Sequence, residues 1–130
     1  MLYTIHKGGV AGYDQGQTPI IHLVSSIEAV CKARKWAFTE GHADLEYTEF
    51  FDDLKHLDRI DWRIMTATYW SNSDEERRRR QAEFLVHDSC PWSCFHEVGV
   101  IDAATAERVN QILKAAKHQP AVDVKKAWYY

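Results

Sequence analysis

Short strand-like and short helix-like runs follow one another irregularly along this chain, and that irregularity limits its fold more than any single motif does. "IIHLV" (20–24) and "WAFTE" (36–40) read as strands, with Ser25 or Ser26 capping a short helix between them that runs to about Ala33. "GGVAGYDQGQTP" is rich in glycine and turn formers and reads as a loop. Before it, "MLYTIHKG" opens the chain on apolar and β-favouring residues, with no polar lead-in or helix cap. From Tyr47 to Trp70 the apolar residues Phe50, Phe51, Leu54 and Leu57 fall at helical spacing, and Ile60, Trp62, Ile64 and Met65 less regularly, predicting short helices on a sheet. "QAEFLV" (81–86) reads as a further strand, "PWSCFHEVGVI" (91–101) starts at a proline and ends as another, and "AVDVKKAWYY" (121–130) reads as a final strand ending on aromatics. Residues 103–116 form the clearest helix, with Ala106, Val109, Ile112 and Leu113 as its stripe and Asp102 as its cap. The pattern predicts an α+β fold with a mixed or antiparallel sheet flanked by short helices.

A length of 130 residues suits one domain with a real core, and 45% apolar with 27% charged residues is ordinary for a globular chain. No apolar run is long enough to cross a bilayer and no signal-peptide pattern opens the chain, so a cytoplasmic location is expected. Three cysteines do not make a disulfide framework. A net charge of −3 supplies no global basic field, yet Arg77 to Arg80 form a local basic run directly after Asp74, Glu75 and Glu76.

That run leads into "QAEFLV", where alternation sets Gln81, Glu83 and Leu85 on one face and Ala82, Phe84 and Val86 on the other. The second face is wholly apolar and belongs against a core. The first lines either a cleft or solvent, and on periodicity alone a solvent-facing Glu83 on an edge strand is the preferred reading. Taken alone, the arginine run is read preferably as a solvated helix face paired with Asp74 to Glu76. His87, Cys90, Cys94 and His96 fall within ten residues, but four ligands in one stretch broken by Pro91 and Trp92 suit zinc poorly. No metal is expected, and buried cysteines beside a strand are the simpler reading.

Taken in order and spacing, "MLYTIHKG", "GQTPIIHLV", "WAFTEGHAD", "IDW", "RQAEFLV", "GV" and the terminal "WYY" resemble the DarT family. These are NAD-dependent ADP-ribosyltransferases that modify thymidine in single-stranded DNA, the toxins of bacterial toxin–antitoxin pairs. The resemblance covers essentially all of 1–130 and implies one ADP-ribosyltransferase domain, matching the family's C-terminal part. It further implies that a family segment preceding the position of Met1, which supplies much of the NAD pocket and an arginine, has no counterpart in this sequence.

By resemblance Glu83 is the catalytic glutamate and His42 a cofactor-binding residue near the active site. Arg77, Arg78 and Gln81 are then DNA-binding residues of the acceptor loop, with Tyr69 and Trp70 as further stacking surfaces. NAD is the expected co-substrate, single-stranded DNA the acceptor and a macrodomain-containing antitoxin the protein partner. Two other readings stand beside this one: an inactive shortened remnant that binds DNA or the antitoxin, and a small zinc-stabilised module built on the Cys/His stretch.

Overall fold

The structure is a computed structural model, and it describes residues 2–67 and 73–130. Tyr69 and Trp70 lie outside the described residues. In chain order the helices are α1 (Leu2–His6), α2 (Ile27–Ala33), α3 (Trp62–Thr66), α4 (Asp74–Arg79) and α5 (Ala103–Leu113). The strands are β1 (His22–Ser25), β2 (Trp36–Thr39), β3 (Phe50–Phe51), β4 (Phe84–Val86), β5 (Phe95–Val100) and β6 (Ala121–Val124). Short 3₁₀ turns at Leu54–Arg59, Trp92–Cys94 and Lys126–Trp128 complete the elements of the described residues. Among the described residues no helix is long and apolar enough to cross a membrane.

The chain divides into two compact units, Met1–Ala29 with Pro91–Tyr130, and Val30–Cys90. The first carries a mixed sheet in the order β1-β5-β6, with β1 antiparallel and β6 parallel to β5. A parallel pair needs a crossover, and α5 supplies it. Asp102 Oδ1 caps α5 by accepting from the Thr105 amide at 2.8 Å, and Val98, Val100 and Leu113 are buried. The buried stripe of α5 is completed by Thr105, whereas Ile112 is 73% exposed, since it stands about 100° round the helix from Leu113.

α1 forms where β-favouring residues stand. Gly8, at φ +69°, lets the chain turn back so that the Gly8 and Gly9 amides satisfy the Ile5 and Thr4 carbonyls, and Tyr3 packs edge-on against Tyr130 at 5.4 Å. The terminal aromatics are pinned as well. The Tyr129 hydroxyl donates to the Ile20 carbonyl at 2.8 Å, and the His22 ring, its pKa lowered by burial, stands edge-on to Trp128 and Tyr129. Gly99 in the central strand leaves room for this packing. A Cβ there would lie 2.6 and 2.9 Å from two carbons of the Trp128 ring and 3.2 Å from Lys125 Cγ. Gly99→Ala is therefore expected to cost about 1–3 kcal/mol, the usual range for overpacking, and to displace Trp128. A urea denaturation midpoint together with the tryptophan emission maximum checks it, and a variant matching the parent in both would refute it.

The second unit holds an antiparallel sheet in the order β3-β2-β4. Phe38 and Thr39 of the central strand are 2% and 0% exposed, and Ile60 and Ile64 are buried. Side-chain caps start its short helices: Asp53 accepts from the Lys55 amide, Asp61 from the Ile64 amide and Ser73 from the Glu76 amide. Sheets and helices together make the α+β architecture that the sequence pattern implies.

Candidate active site

β4 is shorter than the apolar run that encodes it. Gln81 and Ala82 belong to a turn that closes α4, their amides bonding the Arg78 and Arg79 carbonyls. Glu83 is thus the residue entering β4, and its carbonyl accepts from the Thr39 amide at 2.9 Å. Its side chain is half-buried and reaches the turn after β2, where the Ala43 amide donates to Oε2 at 2.8 Å. Among the described residues no protein group hydrogen-bonds the other oxygen, Oε1. One carboxylate oxygen is held and the other is available, which suits a group that must meet a ligand hydroxyl.

The turn itself is tightly bonded. Its first residue, Gly41, is buried, and the Thr39 hydroxyl donates to the Gly41 carbonyl at 2.6 Å. His42 follows, exposed, and its Nδ1 accepts from the Asp44 amide at 3.2 Å, which puts the proton of a neutral ring on Nε2. The Thr48 hydroxyl donates to the His42 carbonyl at 2.7 Å and closes the loop. Glu83 and His42 are therefore brought to one place, 41 residues apart in the chain, by the Ala43 amide between them.

The arginine run forms a helix rather than a loop. "DEERRR" places its acids in the first turn and its bases in the last, each sign where the helix dipole favours it. Arg77 pairs with Asp74 at 2.8 Å, and Arg79 with Glu75 at 2.7 Å. Arg78 meets Glu75 through Nε and Nη2, both at 2.9 Å, and Glu40 through Nη1 at 3.5 Å. Hydrogen bonds from Arg78 and Arg79 hold the Glu75 carboxyl at about 2, so it stays ionised throughout the neutral range. Arg80 Nη1 donates to the Ile64 carbonyl at 2.9 Å. The Arg78 side chain also lies over Gly41, where a Cβ would meet its Nη1 at 3.1 Å and its Cγ at 3.2 Å. A hollow of about 450 Å³ lies here, lined by Glu40, Tyr47, Asp74, Glu75 and Arg78. Gln81 is exposed in its turn.

The Cys/His stretch shows no comparable convergence. Cys94 is buried with its Sγ 3.9 Å from the Ala29 carbonyl, and His87 pairs with Asp88 at 3.1 Å. Among the described residues no group of three or more His, Cys, Asp or Glu side chains is gathered as a metal ion would require. Sequence reasoning missed Thr39, the Ala43 amide and the hollow beside Arg78. Thr39 and Ala43 stand inside "WAFTEGHAD", but nothing in their types or spacing marks them.

The sequence model of the family described as "ssDNA thymidine ADP-ribosyltransferase, DarT" matches residues 1–130. A DNA ADP-ribosyl transferase of Thermus aquaticus is 44% identical over the whole of this chain, which spans 58% of that relative. The solved structure of Thermus sp. 2.9 DarT in complex with ADP-ribosylated ssDNA superposes with a TM-score of 0.94 at 40% identity, covering 99% of this chain and 63% of that one. The same Thermus protein in complex with NAD+ also superposes at 0.94, with 66% of its length covered. The chain thus spans less than two thirds of the length of these relatives.

Proposed function

The chain belongs to the DarT family of single-stranded-DNA thymidine ADP-ribosyltransferases, and from that premise we propose that it transfers ADP-ribose from NAD to thymidine bases of single-stranded DNA. Residues 1–130 are then one domain of that kind, acting in the cytoplasm as the toxin of a toxin–antitoxin pair, with a macrodomain-containing antitoxin as its counterpart. The observation that carries the reading is the Glu83 carboxylate, with Oε2 held by the Ala43 amide and Oε1 available.

NAD supplies the ADP-ribosyl group, with nicotinamide as the leaving group. Transfer breaks the nicotinamide–ribose bond, makes a bond from the same ribose carbon to the thymine base, and releases a proton from that base. Positive charge develops on the ribose as the first bond breaks, the electronic problem that glycosidases meet with carboxylates. Glu83 accepts a ribose hydroxyl on Oε1 and stands close to that charge, so its attraction is greater in the transition state than in the ground state. Because Ala43 fixes the carboxylate beforehand, little reorganisation accompanies the reaction. His42, with its Nε2 proton outward, contacts NAD.

Arg77, Arg78 and Gln81 hold the DNA. The Arg77–Asp74 pair is exposed, and such pairs contribute about 0–1 kcal/mol, so a phosphate can replace Asp74 at little cost. The guanidinium fork suits phosphate, and Arg78 and exposed Gln81 continue the polar track toward Glu83. The test is to incubate the chain with NAD and a thymine-containing single-stranded oligonucleotide and to read the oligonucleotide mass. One added ADP-ribose, absent when the oligonucleotide lacks thymine, is the expected result. Unmodified DNA from folded protein would refute transferase activity in this chain.

A further inference from the structure

Thr39 makes contacts that its place in the strand does not require. It is the last residue of β2 and is 0% exposed, yet it carries a hydroxyl where an apolar side chain would satisfy the core. That hydroxyl donates to the Gly41 carbonyl at 2.6 Å and accepts from the Glu83 amide at 3.2 Å. The Thr39 amide in turn donates to the Glu83 carbonyl at 2.9 Å. Both polar groups of the Glu83 backbone therefore end on Thr39.

The bond to Gly41 acts on the other end of the Glu83 side chain. It holds the turn that carries the Ala43 amide to Oε2 at 2.8 Å. A closed circuit results: from the Thr39 hydroxyl to Gly41, along the chain to Ala43, through the carboxylate to the Glu83 backbone, and back to the hydroxyl. Thr48 and Arg78 brace the same turn from outside, through the His42 carbonyl and over Gly41 respectively. Among the described residues, only the Thr39 hydroxyl is bonded to both the turn and the Glu83 backbone.

We propose that Thr39 is a positioning residue whose hydroxyl sets where the Glu83 carboxylate stands. The proposal rests on the reading of Glu83 as the carboxylate that acts on the ribose. Removing the hydroxyl while keeping the shape leaves the Gly41 carbonyl and the Glu83 amide each short of a partner. The turn then relaxes and the carboxylate loses its fixed place. Displacing a reacting group by about 1 Å can cost about 100-fold in rate.

Thr39→Val and Thr39→Ser are compared with the parent in the full chain. Valine is expected to lower kcat for transfer to a thymine oligonucleotide by about 10- to 100-fold, with KM for NAD and for DNA little changed. Serine, which keeps the hydroxyl, is expected to restore kcat to within about threefold of the parent. A folded valine variant with the parent's kcat overturns the proposal, and so does a folded serine variant that has lost tenfold or more.

A second readout does not depend on turnover. The Ala43 amide resonance should follow the titration of the Glu83 carboxylate in the parent and in the serine variant, and should lose at least about half of that response with valine. An unchanged response with valine, or one lost with serine, overturns the proposal even if the parent transfers no ADP-ribose. In that last case it is the transferase reading that fails, and the amide titration still decides the role of Thr39. If valine prevents folding, the serine variant decides by the same two criteria.

Discussion

Glu83→Gln is expected to lower ADP-ribose transfer by about 100- to 1,000-fold, the range seen when one preorganised electrostatic stabiliser is removed. At 1.36 kcal/mol for each factor of ten, this corresponds to about 2.7–4 kcal/mol of transition-state stabilisation. Glutamine has the size of glutamate and keeps an oxygen that can accept from the Ala43 amide at the Oε2 position. The turn and the β4 entry therefore stay in place, and the only large change is loss of the negative charge beside the ribose. Binding of NAD, proposed to involve His42, and of DNA, proposed to involve Arg77, Arg78 and Gln81, is expected to persist. Rates of nicotinamide release, oligonucleotide mass and thermal midpoint together check this. A glutamine variant within tenfold of the parent would mean that Glu83 does not stabilise the transition state through its charge. A variant that unfolded would mean that the charge serves the fold.

Phe38→Ala carries the largest expected loss of stability, about 3–5 kcal/mol. Phe38 is 2% exposed in the central strand β2 and stacks on Trp36 at 6.3 Å and on Phe51 at 5.2 Å, with interplanar angles of 12° and 26°. Its backbone register partners are Phe51 on β3 and Phe84 on β4, so the ring sits where all three strands meet. Deleting it loses the transfer energy of the ring and leaves a void that the stacked neighbours fill only in part. Small domains are stable by about 5–15 kcal/mol, so the loss is a large share of the total. Denaturant unfolding followed by circular dichroism measures it, with Phe38→Leu expected to cost less because most of the volume remains. A change below about 1 kcal/mol for alanine would mean that the aromatic stack does not anchor this sheet.

Much of this architecture was legible in the residues. Ser26, Asp102 and the glycine-rich loop announced their caps and turns because those effects act within about four residues. "WAFT" and "FLV" announced strands through their apolar, β-favouring composition. The misreadings are just as instructive. α1 was masked by its β-favouring residues, since its glycine stop and its contact with Tyr130 outweigh weak local propensity. Gln81 falls outside β4 because α4 uses residues 80–82 to finish its last turn, which the alternation of "QAEFLV" does not reveal.

The same division holds at the site. Glu83 and His42 stand out through the family resemblance rather than through periodicity, and the charge order of "DEERRR" suits the short helix that α4 forms. The sequence alone thus determined the α+β class and the family, and it offered Glu83 and His42 as candidates for the proposed chemistry. Only the tertiary structure decided how that chemistry is held: the Ala43 amide on Oε2 and the Thr39 hydroxyl on the Glu83 backbone join residues 40 and 44 apart. Periodicity reports which face of a local element a residue occupies. Which residue it meets across the sheet depends on the register of β2 against β4, and that register is settled by the packing of Trp36, Phe38 and Phe84 over the whole unit.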